Sequence, residues 1–144
     1  MPIEDKFKEI CPACSNIMIV GEQQRFMSSL ITFKVDVDPK SGQPSQNLMP
    51  EAIALLKKEA GVDVKTSDEA CKNEKVIQFI QKCVDETNKK SVSRAAHIRK
   101  FRLVPTDFSI PGGELTPTLK LKRKVTEKKF QQLVDDMFAP DAKL

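Results

Sequence analysis

The run from Ser109 to Lys124, Ser-Ile-Pro-Gly-Gly-Glu-Leu-Thr-Pro-Thr-Leu-Lys-Leu-Lys-Arg-Lys, sets the terms for everything around it. Pro111 fixes one backbone angle, while Gly112 and Gly113 can adopt left-handed or extended geometry without a side-chain clash. The backbone can therefore turn sharply and come close to a ligand. Thr116, Pro117 and Thr118 then favour an extended, non-helical approach to Lys120. A stiff loop must stand here between two regular segments. It presents the Lys120 ammonium where an anion, a phosphate or a carboxylate, can reach it. The same residues also describe an ordinary turn that bears a solvated lysine.

The segments around this loop follow recognisable periods. Ile3, Phe7, Ile10 and Cys11 recur at helical spacing, and Pro12 closes that helix. Ser15 to Val20 is a short apolar run, Gly21 to Gln24 a turn, and Met27 to Val37 alternates, which predicts an antiparallel hairpin. In that alternation Met27, Ser29, Ile31, Phe33, Val35 and Val37 share one face. Ser28, Leu30, Thr32, Lys34 and Asp36 point the other way. Asp38 to Asn47, rich in Pro, Gly, Ser and Gln, reads as a surface loop.

Pro50 opens a helix that carries Ile53, Leu56 and Ala60 inward and stops at Gly61. Thr66 to Glu69 has the spacing of a capping box, and the long helix that follows puts Val76, Ile80, Cys83 and Val84 on one stripe, with Ser91 to Ala96 as its extension. Ile98 to Val104 reads as a strand with Phe101 and Leu103 on one face. Pro105 interrupts it, and Phe108 to Ile110 leads into the glycine-proline loop. Phe130, Leu133, Val134, Met137 and Phe138 mark a terminal amphipathic helix that anchors the far end of that loop. The fold class is α+β: a small antiparallel sheet, a hairpin plus a second short set of strands, covered by about four helices.

The net charge of +4 is uneven: Lys120, Lys122, Arg123, Lys124, Lys128 and Lys129 crowd one stretch, with Glu127 alone against them. Such a field favours a phosphate-bearing partner, although most of these side chains fit a solvated helix face equally well. Cys11 and Cys14 form a Cys-x-x-Cys pair. Cys71 and Cys83 are remote, and His97 is the single histidine, so a zinc site is not expected and the thiols read as small buried or half-buried groups in a reducing compartment. No apolar run approaches the roughly 18 residues of a membrane helix, and the first residues offer no signal-peptide core.

Gly-Gly-Glu-Leu-Thr-Pro-Thr-Leu-Lys-Leu-Lys-Arg, from Gly112 to Arg123, resembles the last core motif of the long-chain acyl-CoA synthetases of the adenylate-forming superfamily. Pro2-Ile3-Glu4-Asp5, Ser15-Asn16-Ile17-Met18 and Phe26 to Lys34 extend the likeness over most of the chain, toward the bubblegum-type branch. The resemblance implies that residues 1–139 are the small carboxy-terminal domain of such an enzyme and 140–144 a free tail. It further implies that the family's catalytic lysine is Lys120. Gly112, Gly113, Glu114, Thr116, Thr118, Lys122 and Arg123 would then take part in binding the co-substrates ATP and coenzyme A.

By the same resemblance, Mg accompanies ATP on a large amino-terminal domain that is absent from this chain, and no metal ligand is expected here. The hinge motif should lie just before Pro2, which makes Met1 an imposed start rather than a native one. The chain is expected to fold but to catalyse nothing alone. Ala142-Lys143-Leu144 resembles a peroxisomal address, so the expected location is cytoplasmic or peroxisomal. Two other readings are a free-standing basic module that grips a phosphate-rich partner such as nucleic acid, and a non-catalytic regulatory domain. The lack of Trp and Tyr and of any recognisable nucleic-acid motif counts against the first.

Overall fold

The computed structural model describes residues 2–21, 27–90 and 97–138. The two strands expected at the start are β1 (Cys14–Val20) and β2 (Met27–Phe33), antiparallel, with Ile17 opposite Ile31. Downstream, β5 (Ile98–Val104) lies on the other edge of β2 and runs parallel to it, Phe101 opposite Ser29. The order β1-β2-β5 is therefore a mixed sheet, and the purely antiparallel expectation is corrected. The cause is the connection: a chain that leaves β2 and returns through helices makes a crossover, and a crossover delivers a parallel strand.

The alternation from Met27 to Val37 is divided at Lys34. β3 (Val35–Val37) leaves the main sheet and pairs with β4 (Pro44–Leu48) in a separate two-stranded ribbon. Part of the stretch expected to be a loop is thus strand. Its turn is closed by the Gly42 N–H on the Asp38 carbonyl at 2.8 Å and the Asp38 N–H on the Gln43 carbonyl at 3.0 Å.

The helices form where their start and stop signals stand. α1 (Pro2–Ile10) buries Ile3 and Phe7. α2 (Pro50–Ala60) begins on its proline and ends at Gly61 in the left-handed conformation, φ 70°, with Ala52 and Leu56 facing inward. Thr66 caps α3 (Ser67–Lys72) by accepting the Glu69 N–H. Asn73 then breaks the long helix: its backbone is extended, and its side chain accepts from Lys75 and Val76 to start α4 (Glu74–Lys89). The terminal helix is likewise divided at Phe130 into α5 (Arg123–Lys129) and α6 (Gln131–Phe138). The described residues hold six helices, more than expected, because of these two breaks. None is long and apolar enough to cross a membrane. The proposed helix extension at 91–96, most of the turn after Gly21 and the 140–144 tail lie outside the described residues.

Two apolar clusters sandwich the sheet. On one face Ile17, Ile31 and Phe33 meet Phe7, Leu56 and Ile80. On the other, Met18, Leu30 and Val104 meet Phe108, Val134 and Met137. Ser28, Leu30 and Thr32 do point away from Ile31 and Phe33, as alternation requires, and each is 0% exposed. α6 covers this second face through Val134 and Met137. Leu30→Ala should therefore lower the free energy of unfolding in urea by about 2–5 kcal/mol. A change below about 0.5 kcal/mol would mark a surface position instead.

Candidate functional site

The loop is fastened at its entrance by a buried carboxylate. Asp107, 8% exposed, accepts through Oδ1 from Thr32 Oγ1 at 2.6 Å, the Phe108 N–H at 2.8 Å and Asn16 Nδ2 at 2.9 Å. The two side-chain donors, Asn16 and Thr32, tie the segment after β5 to β1 and β2, beyond the last ladder pair of the sheet. Phe108 drops into the second core cluster against Phe130, ring centroids 5.9 Å apart. Sequence reasoning missed Asp107, whose partners lie far away in the chain.

The turn that follows is built on Ser109 and Glu114. Ser109 Oγ accepts the Gly112 N–H at 2.9 Å, its carbonyl accepts the Leu115 N–H at 3.1 Å, and its own N–H donates to Glu114 Oε1 at 3.0 Å. Gly113 holds φ at 90°, open to glycine and strained for other residues. At Gly112 the constraint is space: a Cβ there would lie 2.4 Å from Glu114 Oε1 and 2.8 Å from Ser109 Oγ. Glu114 is 3% exposed, and its other oxygen pairs with the Lys129 ammonium, which also donates to the Gly112 carbonyl at 3.1 Å.

Past Glu114 the chain forms a narrow loop closed by a β-bridge between Leu115 and Leu121. The Thr116 N–H donates to the Lys120 carbonyl at 2.8 Å, and the Lys120 N–H donates to Thr116 Oγ1 at 3.1 Å. The hydroxyls of Thr116 and Thr118 lie 3.0 Å apart. Leu119, at φ 64°, is the one non-glycine residue in the left-handed region among the described residues, and it stands 68% exposed beside Lys120. The Lys120 side chain is exposed, and among the described residues no carboxylate is within ion-pair distance of it. On the way out, the Lys122 N–H donates to the Glu114 carbonyl at 2.8 Å.

The residues singled out in the sequence thus fall into three groups. Gly112, Gly113 and Glu114 form the base, Thr116, Thr118 and Lys120 the loop itself, and Lys122 and Arg123 the exit. Arg123 is already engaged, its Nη2 2.6 Å and its Nη1 3.2 Å from the carboxylate of Glu4, which is 5% exposed and also accepts the Ile19 N–H. Lys122, Lys124 and Lys128 are exposed. Beside the loop a groove of about 680 Å³ runs between Val37, Pro44, Asp107, Ile110, Leu115 and Leu119.

The thiols stand apart from this site. Cys11 and Cys14, both buried, have their sulfurs 3.4 Å apart, and Cys83 reaches Cys11 from α4. The hydrogen bond with Cys14 pushes the Cys11 thiol up, and that with Cys11 does the same to Cys83. Burial raises Cys71 from 9.0 to about 12. No group of three or more His, Cys, Asp or Glu side chains among the described residues could hold a metal ion.

No family model matches the chain. It is 41% identical over 140 residues to the long-chain-fatty-acid–CoA ligase ACSBG2 of Gallus gallus, covering 96% of this chain and 18% of that protein. Against the ligase ACSBG1 of Bos taurus identity is 35%, over 96% of this chain and 19% of the relative. The chain thus spans about a fifth of the length of these curated relatives. Among solved structures, the A domain of the carboxylic acid reductase of Segniliparus rugosus, in complex with AMP and a carboxylic acid, superposes with a TM-score of 0.63 at 14% identity, over 95% of this chain and 17% of that one. The adenylation domain of the Mycobacterium chelonae carboxylate reductase gives 0.62 at 13% identity, over 94% of this chain and 17% of that one. The fold is that of a part of these two adenylation domains.

Two outcomes follow from this geometry. Gly112→Ala should destabilise the chain by about 1–3 kcal/mol in urea unfolding, because a Cβ is forced onto the Glu114 carboxylate. Raised thiols are protonated in the fold, so their contribution to stability is complete below pH 9.0 and falls as pH rises toward about 12, the window of Cys71. A thiol-specific reagent at pH 8 should accordingly label the native chain far more slowly than the urea-unfolded chain. Equal rates would contradict the burial of these groups.

Proposed function

Because the chain is a homologue of the long-chain-fatty-acid–CoA ligases, we propose that residues 1–139 are the carboxy-terminal lid domain of such a ligase. The enzyme it serves activates a long-chain fatty acid with ATP, forming an acyl-adenylate and pyrophosphate, and then passes the acyl group to the thiol of coenzyme A. Between the two steps the lid turns against a large amino-terminal domain. The chain alone should form no acyl-adenylate.

The observation that carries this reading is the unpaired charge of Lys120. Arg123 is matched by Glu4 and Lys129 by Glu114, while Lys120 is held out on a loop whose backbone is bonded to itself. An ammonium placed this way can approach the fatty-acid carboxylate and the α-phosphate, where negative charge builds up as the adenylate forms. Gly112, Gly113 and Glu114 shape the base from which it projects, and Thr116 and Thr118 stiffen the loop. Lys122 adds positive potential for the phosphates of coenzyme A, while Arg123, paired with Glu4, fixes the exit of the loop. Mg would arrive with ATP on the large domain.

In the complete ligase, Lys120→Ala should slow acyl-adenylate formation by about 10²–10³-fold, measured as fatty-acid-dependent pyrophosphate exchange. Thioester formation from supplied acyl-adenylate should change far less. Equal losses in both half-reactions would refute the role given to Lys120. A KM for coenzyme A that does not move on charge reversal at Lys122 would remove that residue from the site.

A further inference from the structure

Glu114 is the most constrained charge near the loop, and the motif's own chemistry does not account for it. Its carboxylate is buried and faces inward. It accepts from the Ser109 backbone and pairs with Lys129 on α5, while its carbonyl accepts from the Lys122 N–H and, at 3.4 Å, from Thr126 Oγ1. One residue thus joins the end of the incoming strand, the glycine turn, the exit of the loop and the helix beyond it. Lys129, with its side chain 46% exposed, completes the brace by reaching back to the Gly112 carbonyl.

We infer that Glu114 and Lys129 are positioning residues: their buried ion pair fixes the direction in which the loop presents Lys120, and neither touches substrate. The inference rests on the reading of Lys120 as the adenylation lysine. The geometry supports it because both stems of the loop, Leu115 and Leu121, are neighbours in sequence of atoms bonded to Glu114 or belonging to it. Without the carboxylate the stems stay joined to each other and to Thr126, but they lose the side-chain tie to Lys129 at the far end of α5. A displacement of about 1 Å at a reacting group lowers rate by as much as 10²-fold.

The test has two arms. In this chain, Glu114→Gln keeps the side-chain shape and an acceptor for Ser109 while removing the charge, and Lys129 has access to water. Amide hydrogen exchange at Lys122 and Thr116 should quicken at least tenfold in Glu114→Gln and in Lys129→Met, and return toward the parent value in Lys129→Arg. Unchanged exchange in Glu114→Gln would overturn the brace, whatever the fate of Lys120. In the complete ligase, Glu114→Gln should lower the kcat of adenylation roughly ten- to a hundredfold and spare transfer from supplied acyl-adenylate. It should add nothing further in a Lys120→Ala background, since it acts through that side chain. An undiminished effect in that background, or equal loss in both half-reactions, would reduce Glu114 to a general stabiliser. Should Lys120→Ala itself leave adenylation intact, the functional reading fails, and the exchange arm still decides the brace.

Discussion

The burial of β2 on both faces governs the rest of the structure. A strand with one dry face needs one covering layer, but β2 carries Ile31 and Phe33 to one side and Leu30 to the other, all at 0–1% exposure. Two layers must therefore close over it. α1, α2 and α4 supply the first, and α6, arriving after the glycine-proline loop, supplies the second. At about 25 cal/mol per Å² of apolar surface removed from water, residues of this size each contribute on the order of 1.5–3 kcal/mol. The loop at 109–121 is consequently a bridge between two halves of one core. It cannot relax without lifting α6 from the sheet.

Electrostatics completes what apolar packing begins. Glu4, Asp107 and Glu114 are each less than 9% exposed, and each meets the desolvation of its charge differently. Asp107 does so with neutral donors alone, two side chains and a backbone N–H. Glu4 and Glu114 use one backbone N–H apiece plus a half-exposed cation from α5. Loss of one partner from such a pair leaves a buried charge uncompensated, the expensive case. α5, only seven residues long, is pinned near its start by Arg123 and near its end by Lys129. A short helix of low intrinsic stability becomes a fixed mount in this way.

Local signals in the sequence were legible, and their failures share one cause. Pro50, Gly61 and the Thr66 cap act within a few residues of themselves, and all three appear where the sequence puts them. Alternation places Leu30 on the face opposite Ile31 but reports only that two faces differ, not that a later helix covers the second. β5 was read as a strand, but its parallel partner depends on how the helical crossover returns. At the candidate site, the turn-forming character of Gly112 and Gly113 was visible, whereas the reason for Gly112 is the Glu114 carboxylate occupying the space of its Cβ. Lys129 was counted among a basic crowd because nothing in a linear run of lysines marks the one whose partner lies fifteen residues earlier.

That crowd is less uniform than its charge suggests. Arg123 and Lys129 sit against buried carboxylates, so their fields are largely cancelled at any distance beyond a few ångströms. Lys120, Lys122, Lys124 and Lys128 are exposed and make the outward potential. Of these, Lys120 alone belongs to a loop closed by its own backbone and hydroxyl bonds, with a left-handed residue before it and a β-bridge beneath. Backbone strain of this kind persists where surrounding structure over-determines it, and here the surroundings are the Ser109, Glu114 and Lys129 brace. A freely solvated lysine would need none of this scaffolding, since water stabilises an ammonium at no cost in backbone geometry. The structure around Lys120 is what the role proposed for that lysine requires, a charge held in a chosen direction.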